Sequence, residues 1–164
     1  MIRMASALFA LLLILPVTAM RSAENPLVGT WKLKSYVREV AATGERYNER
    51  GEHPNGYLSY SADGRMYAII TRENRITPRE VVPTDGERIK LFSTMISYAG
   101  TYTFDAEKVV HHVDISWNQN WTGTDQVRFY KLDGDTLTIT SAPARNFTDG
   151  REGRSILVWE RLRR

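Results

Sequence analysis

The stretch GYLSYSADGRMYAIIT, residues 56–71, decides the fold class. Two short runs rich in aromatic and β-branched side chains flank Ala62, Asp63 and Gly64, and an Asp-Gly pair supplies the positive φ angles that a tight hairpin requires. The same grammar recurs outward from it. Thr101 to Phe104 and Val109 to Trp117 flank the turn residues 105–108, and Gln126 to Leu132 and Thr136 to Thr140 flank Asp133, Gly134 and Asp135. Trp31 to Val40, with Trp31, Leu33 and Val37 on one face, and Ser155 to Arg161 read as the first and last strands. One segment breaks the pattern. Thr84 and Glu87 have capping-box spacing, Ile89, Phe92, Ile96 and Ala99 recur at helical intervals, and Gly100 stands where a left-handed cap is wanted, so a single helix is predicted over about 85–99. Seven or eight antiparallel strands with short turns bury their apolar faces and lose their edges by curling into one closed barrel, with a two-sheet sandwich as the other solution.

The bulk composition agrees with one globular domain: 164 residues, 42% hydrophobic, 25% charged. Residues 1–19 have a basic start at Arg3, an apolar run from Ala5 to Val17, and small residues before a cleavage point after Ala19. This is the pattern of a secretory signal peptide, and the run is shorter than the roughly 20 apolar residues a membrane span needs. No stable membrane insertion is expected after cleavage. Residues 20–26 then read as a short leader and residues 27–162 as the barrel domain. With no cysteine in the chain, the core alone must hold the fold, which favours a periplasmic location, or otherwise a secreted one. The acceptor patterns at Asn120 and Asn146 are short enough to arise by chance. Removing Arg3 with the signal leaves 21 basic against 19 acidic residues, a net charge of +2, interleaved except for the terminal RLRR, and no nucleic-acid partner is expected.

Against this background LVGTWKL, residues 27–33, resembles the Gly-x-Trp signature of lipocalin-like barrels. Further blocks in order sharpen the likeness: GYLSY at 56–60, DGRM at 63–66, GTY at 100–102, VHHV at 110–113, WTGT at 121–124, QVR at 126–128 and LDGDTL at 132–137. Together they are similar to the bacterial and fungal lipocalin-like domain family over nearly all of the chain beyond the signal. The resemblance implies a small antiparallel barrel of about eight strands with an internal cavity, and little about chemistry. It also implies that Trp31 plugs the barrel floor beneath an arginine, for which Arg128 and Arg161 both qualify.

The residues themselves narrow the chemistry further. In VVHHVDISW, residues 109–117, successive side chains point to opposite faces, so His111 and His112 diverge and do not readily share a metal. Either the apolar face, with His111, Val109, Val113, Ile115 and Trp117, turns inward, or the polar face with His112, Asp114 and Ser116 lines the cavity. In the second case His112 and Asp114 form a carboxylate-oriented imidazole suited to a polar head group or to proton transfer. A haem reading rests only on a lone histidine, His111 or His53. Tyr57, Tyr60, Tyr67, Tyr98, Trp117, Trp121 and Phe129 are dispersed over strands and the loop near the histidines, as walls of a small-molecule pocket would be. Trp117 and Trp121 bracket Asn118 to Asn120 as a rim, and Arg128 packs on the floor or meets an anionic group. The expected activity is therefore binding of a small apolar or amphipathic molecule, without cofactor or metal. An isomerase or cyclase using His112 and Asp114 in the same cavity is the alternative, and a packed, pocketless interaction module is a third reading.

Overall fold

The computed structural model describes residues 25–163, so the signal sequence and most of the leader lie outside the described residues. Among the described residues ten strands are formed: β1 (Gly29–Val40), β2 (Arg46–Asn48), β3 (Asn55–Tyr60), β4 (Arg65–Thr71), β5 (Met95–Phe104), β6 (Lys108–Ser116), β7 (Asp125–Asp133), β8 (Thr136–Ser141), β9 (Ala144–Arg145) and β10 (Glu152–Arg161). One helix, α1 (Asp85–Ser93), and a single 3-10 turn (Gln119–Trp121) interrupt them. All pairing is antiparallel, in the order β1, β3, β4, β5, β6, β7, β8, β10, and β10 pairs again with β1 from Trp31 opposite Arg161 to Val40 opposite Gly153. This is a closed eight-stranded barrel, with β2 and β9 as short additions at one end. Such a barrel is just wide enough to be filled by side chains or to hold one small ligand.

The hairpin that announced the fold forms with a longer turn than a two-residue loop. Tyr60 pairs with Met66, the Ser61 amide bonds to the Arg65 carbonyl, and Gly64 alone takes a positive φ, of +84°. Asp63 contributes instead by accepting the Arg65 amide at 3.1 Å.

Two bulges decide what faces inward. Along β1 the register slips between Leu33 and Ser35. Trp31 and Leu33 point in, and beyond the slip Tyr36, Arg38 and Val40 do, so Val37 leaves the face the alternation had given it. Along β5 and β6 the register slips between Ala99 and Gly100, Asp114 becomes the extra residue, and Ile115 turns outward. A Cβ on Gly100 would lie 1.9 Å from the His112 carbonyl oxygen, so only glycine permits this approach.

The helix is shorter than predicted. Its start is the expected capping box, with the Thr84 hydroxyl accepting the Glu87 amide and the Glu87 carboxylate accepting the Thr84 amide. It stops at Ser93, where the Ser93 and Thr94 hydroxyls bond back to the Ile89 and Lys90 carbonyls. From Met95 the chain pairs with β4, because Ile96, Tyr98 and Tyr102 alternate at period two and bury there. Gly100 is accordingly a mid-strand residue and not a helix cap, and Ile89 and Phe92 lie exposed.

The floor lies at the end with the tight turns. Trp31 is fully buried and its indole donates to the Leu27 carbonyl at 2.9 Å. The Arg161 guanidinium stacks 4.0 Å from the Trp31 ring and donates to the carbonyls of Val28 and Pro26, each at 2.6 Å. Arg161, and not Arg128, is therefore the floor arginine. Gly29 completes the arrangement. Its φ is +139°, and a Cβ there would sit 2.9 Å from Arg161 Nη1. Leu58, Tyr60, Met66, Val109, Leu137 and Trp159 fill the barrel above it.

Gly29→Ala and Arg161→Ala should each destabilise the protein by about 1–3 kcal/mol in urea denaturation, through backbone strain and loss of the stacked, carbonyl-bound cation respectively. The double variant should lose less than the sum, since removing Arg161 removes the atom that a Cβ at position 29 meets. Full additivity would contradict this account.

Candidate functional site

At the opposite end the connections are long, and they surround a cavity of about 300 Å³. Its apolar wall is built from Tyr36 of β1, Ile70 of β4, Ile96 and Tyr98 of β5, Trp121 of the 3-10 turn, Phe147 of the β9–β10 loop and Leu157 of β10. Its polar wall includes Arg38, Glu49, Asp125, Gln126, Arg128, Ser141, Asn146 and Ser155. The cavity reaches solvent beside Ala144 and Arg145, which line it and are exposed. This is the usual make-up of a small-molecule site, apolar walls with a few converging polar groups.

Aromatic rings cover one side of the opening. Trp121 meets Tyr98 edge-on at 5.4 Å and Trp117 edge-on at 5.0 Å, and Trp117 in turn meets Phe147 at 5.4 Å and Phe92 of the helix at 6.2 Å. Both tryptophans are half-buried. Trp121 touches the cavity and Trp117 braces it from behind. Arg50, buried just after β2, ties this cover down: it stacks on Tyr36 and Phe147 at 5.6 and 5.4 Å, pairs with Glu49 at 3.5 Å, and donates to the Ser93 carbonyl at the end of α1 at 3.0 Å. A cation at a helix C-terminus is favoured by the helix dipole.

The polar groups have distinct environments. Arg38 donates to Ser155 Oγ at 3.3 Å and to the carbonyls of Ala144 and Arg151 at 2.6 and 3.2 Å. Arg128 donates to the Val127 carbonyl and to Gln126 Oε1, and its charge lies 5.9 Å from the Trp121 ring. Below the cavity His111 is 1% exposed, with Nδ1 2.9 Å from the Tyr98 hydroxyl and Nε2 2.7 Å from the Tyr60 hydroxyl. Burial, then the nearby Arg128 and His112, hold its pKa well below the usual histidine value, so the ring is neutral. Burial raises the Tyr98 phenol, with Arg128 drawing it back, and raises the Tyr60 phenol well above the ordinary range.

The residues singled out from sequence separate accordingly. Trp121 and Arg128 line the cavity, Tyr60 lies beneath it, and Trp31 closes the floor. Tyr57, Tyr67 and Phe129 are exposed on the outer face. His112 is also on that face, between Asp125 at 2.7 Å and Thr103 at 2.9 Å, while Asp114 pairs with Arg65 at 3.1 Å. The two side chains therefore do not form an imidazole–carboxylate pair and do not face a ligand, because the apolar face of β6 turns inward. Ser116 lies half-buried at the strand end, accepting the Asn118 amide. Both nitrogens of His111 are taken by tyrosines, leaving no lone pair for a haem iron, and His53 is exposed in a loop. Among the described residues no three His, Cys, Asp or Glu side chains gather as metal ligands would, and no helix is long and apolar enough to cross a membrane. Tyr36, Arg38, Ser141, Phe147 and Ser155 escaped sequence reading. The bulge in β1 hid the first two, whereas Ser141 and Ser155 share their strand faces with the buried Ile139 and Leu157, an alternation that could have found them.

The family model described as the lipocalin-like domain matches residues 28–162. A protein named 4'-hydroxy-3'-methoxypropiophenone carrier protein, from Aspergillus oryzae, is 30% identical over 89 residues, 49% of this chain and 79% of its own length. A crystal structure of a mutant of the fluorescent protein UnaG aligns over 82% of this chain and 94% of its own, at 12% identity and a TM-score of 0.35.

The depressed His111 pKa sets a pH dependence. The unfolded chain takes up the proton near pH 6.5 and the folded chain does so only at much lower pH, so stability present above about 6.5 is lost as pH falls, at up to about 1.4 kcal/mol per unit. Between pH 7 and pH 5 the melting temperature should fall more steeply for the wild type than for His111→Gln. Parallel slopes would contradict a buried neutral His111.

Proposed function

Because the chain belongs to the lipocalin-like domain family, we propose that it is an exported carrier holding one small apolar or amphipathic molecule, without cofactor, at the loop end of its barrel. The observation that carries the reading is the cavity of about 300 Å³, walled by aromatic and aliphatic side chains and reached from solvent. A packed interaction module would fill that space with side chains. An isomerase or cyclase would need an acid–base pair at the ligand, and His112 and Asp114, which the sequence offered for it, have their partners on the outer face.

Two further observations support the reading. The relative from Aspergillus oryzae is named for carrying 4'-hydroxy-3'-methoxypropiophenone, a small molecule with an aromatic body and polar ends. The apolar run from Ala5 to Val17, with its basic start and small-residue end, supports export to the periplasm. Within the cavity Trp121 and Phe147 face the body of the ligand, and Arg38, Arg128 and Tyr98 face its polar end.

Native mass spectrometry of the protein isolated from its host's periplasm tests this directly. A stoichiometric small molecule, released on denaturation, is the expected result. Its capture should quench or shift the fluorescence of Trp121, and Trp121→Phe should abolish most of that change. A bare mass, together with no retention of aromatic or amphipathic compounds by the purified protein, would overturn the carrier reading.

A further inference from the structure

The hydrogen bonds around His111 have a direction, and the direction says what the cavity presents to its ligand. A neutral imidazole has one N–H and one lone pair, so it donates to one of its two tyrosines and accepts from the other. Tyr60 is 1% exposed, and among the described residues its hydroxyl has no hydrogen-bond partner other than His111 Nε2. If Nε2 carried the proton, the Tyr60 O–H would be buried with no acceptor, at a cost of about 1–3 kcal/mol. Tyr60 therefore donates to Nε2, Nδ1 carries the proton, and Nδ1–H donates to the Tyr98 oxygen. Among the described residues the Tyr98 proton is then left without an acceptor, and Tyr98 lines the cavity.

Charge adds to this donor. The cavity wall contains the guanidinium groups of Arg38 and Arg128, and among the described residues neither is paired with a carboxylate; their acceptors are carbonyls, a serine hydroxyl and a glutamine oxygen. Of the two carboxylates that line the same cavity, Glu49 is paired with the buried Arg50 at 3.5 Å, and Asp125 is exposed to solvent and hydrogen-bonded to His112 at 2.7 Å. Arg145 adds a third cation at the exposed rim. Buried or half-buried cations held only by neutral acceptors stabilise an incoming anion more than paired ones do.

Resting on the carrier reading, we propose that the cargo bears an anionic oxygen group, such as a carboxylate or sulfonate, which accepts from the Tyr98 hydroxyl and from Arg128 and Arg38. Tyr60 and His111 are positioning residues: they fix the imidazole as the Nδ1–H tautomer and so leave the Tyr98 proton to the ligand. An amphipathic acid with an apolar or aromatic body fits both walls, the acid toward Arg38 and Arg128 and the body against Trp121 and Phe147.

Two probes with one apolar body separate charge from grease. 8-Anilinonaphthalene-1-sulfonate and uncharged N-phenyl-1-naphthylamine differ by the sulfonate, and both report binding by fluorescence. The wild type should prefer the sulfonate by at least about tenfold, and Arg128→Gln, Arg38→Gln and Tyr98→Phe should each reduce that preference several-fold. Equal affinities in the wild type, or a preference that survives all three substitutions, would overturn the proposal. Binding of neither probe, together with a bare native mass, would instead overturn the carrier reading on which it rests. Independently of any variant, nitrogen-15 NMR of the His111 ring should place the proton on Nδ1 and leave Nε2 unprotonated. A proton on Nε2 would contradict the directed chain.

Discussion

The pairing of the first long strand with the last is the constraint on which everything else depends. Without β10 beside β1 the sheet would have two open edges and its apolar face no partner. The contact that seals this seam is Arg161 over Trp31, which joins the strand ends to the carbonyls of Pro26 and Val28 in the preceding segment. Gly29 makes room for it. The Gly-x-Trp motif is thus a three-part device, a backbone position open to approach, a ring to plug the floor, and a cation laid across both. Asn25 extends the seal, donating to the Tyr102 hydroxyl at 2.7 Å. With one end filled and sealed in this way, the free volume gathers at the other, where long connections replace tight turns.

The strands were legible because Asp-Gly turns and period-two alternation both depend on local geometry. The hairpins at Gly64 and Gly134 could be read from a few residues each, and the helix start could be read from Thr84 and Glu87. What escaped local reading was set by pairing across the sheet. Ile96 and Ala99 continue a helical period but join β5, since β4 offers them hydrogen bonds and Ile96 and Tyr98 a buried face. Bulges had the larger effect on the site. A one-residue slip exchanges inside for outside, and the slip near Lys34 delivered Tyr36 and Arg38 to the cavity while the slip at Asp114 sent Ile115 out.

The histidine pair shows the same division between local pattern and tertiary context. That His111 and His112 face opposite ways follows from strand geometry alone. Which of them is inside depends on the apolar company of Val109 and Val113, and the inward one is His111, hydrogen-bonded on both nitrogens. His112 and Asp114, the residues that looked most chemical, serve the outer surface in separate pairs. Among the polar groups of the cavity are Arg38, Tyr98 and Arg128 of strands β1, β5 and β7, three residues far apart in sequence that closure of the barrel brings to one space.

The central claim is that the loop-end cavity is the ligand site. A nitrogen-15 NMR titration with 8-anilinonaphthalene-1-sulfonate tests it most directly, because it locates binding residue by residue. The account expects the largest shifts at Tyr36, Tyr98, Trp121, Gln126, Arg128 and Phe147, with the outer-face residues His112 and Asp114 and the floor at Gly29 and Arg161 little changed. Shifts confined to the exposed Val81, Val82, Ile89 and Phe92 around the helix, with the cavity residues unmoved, would contradict it.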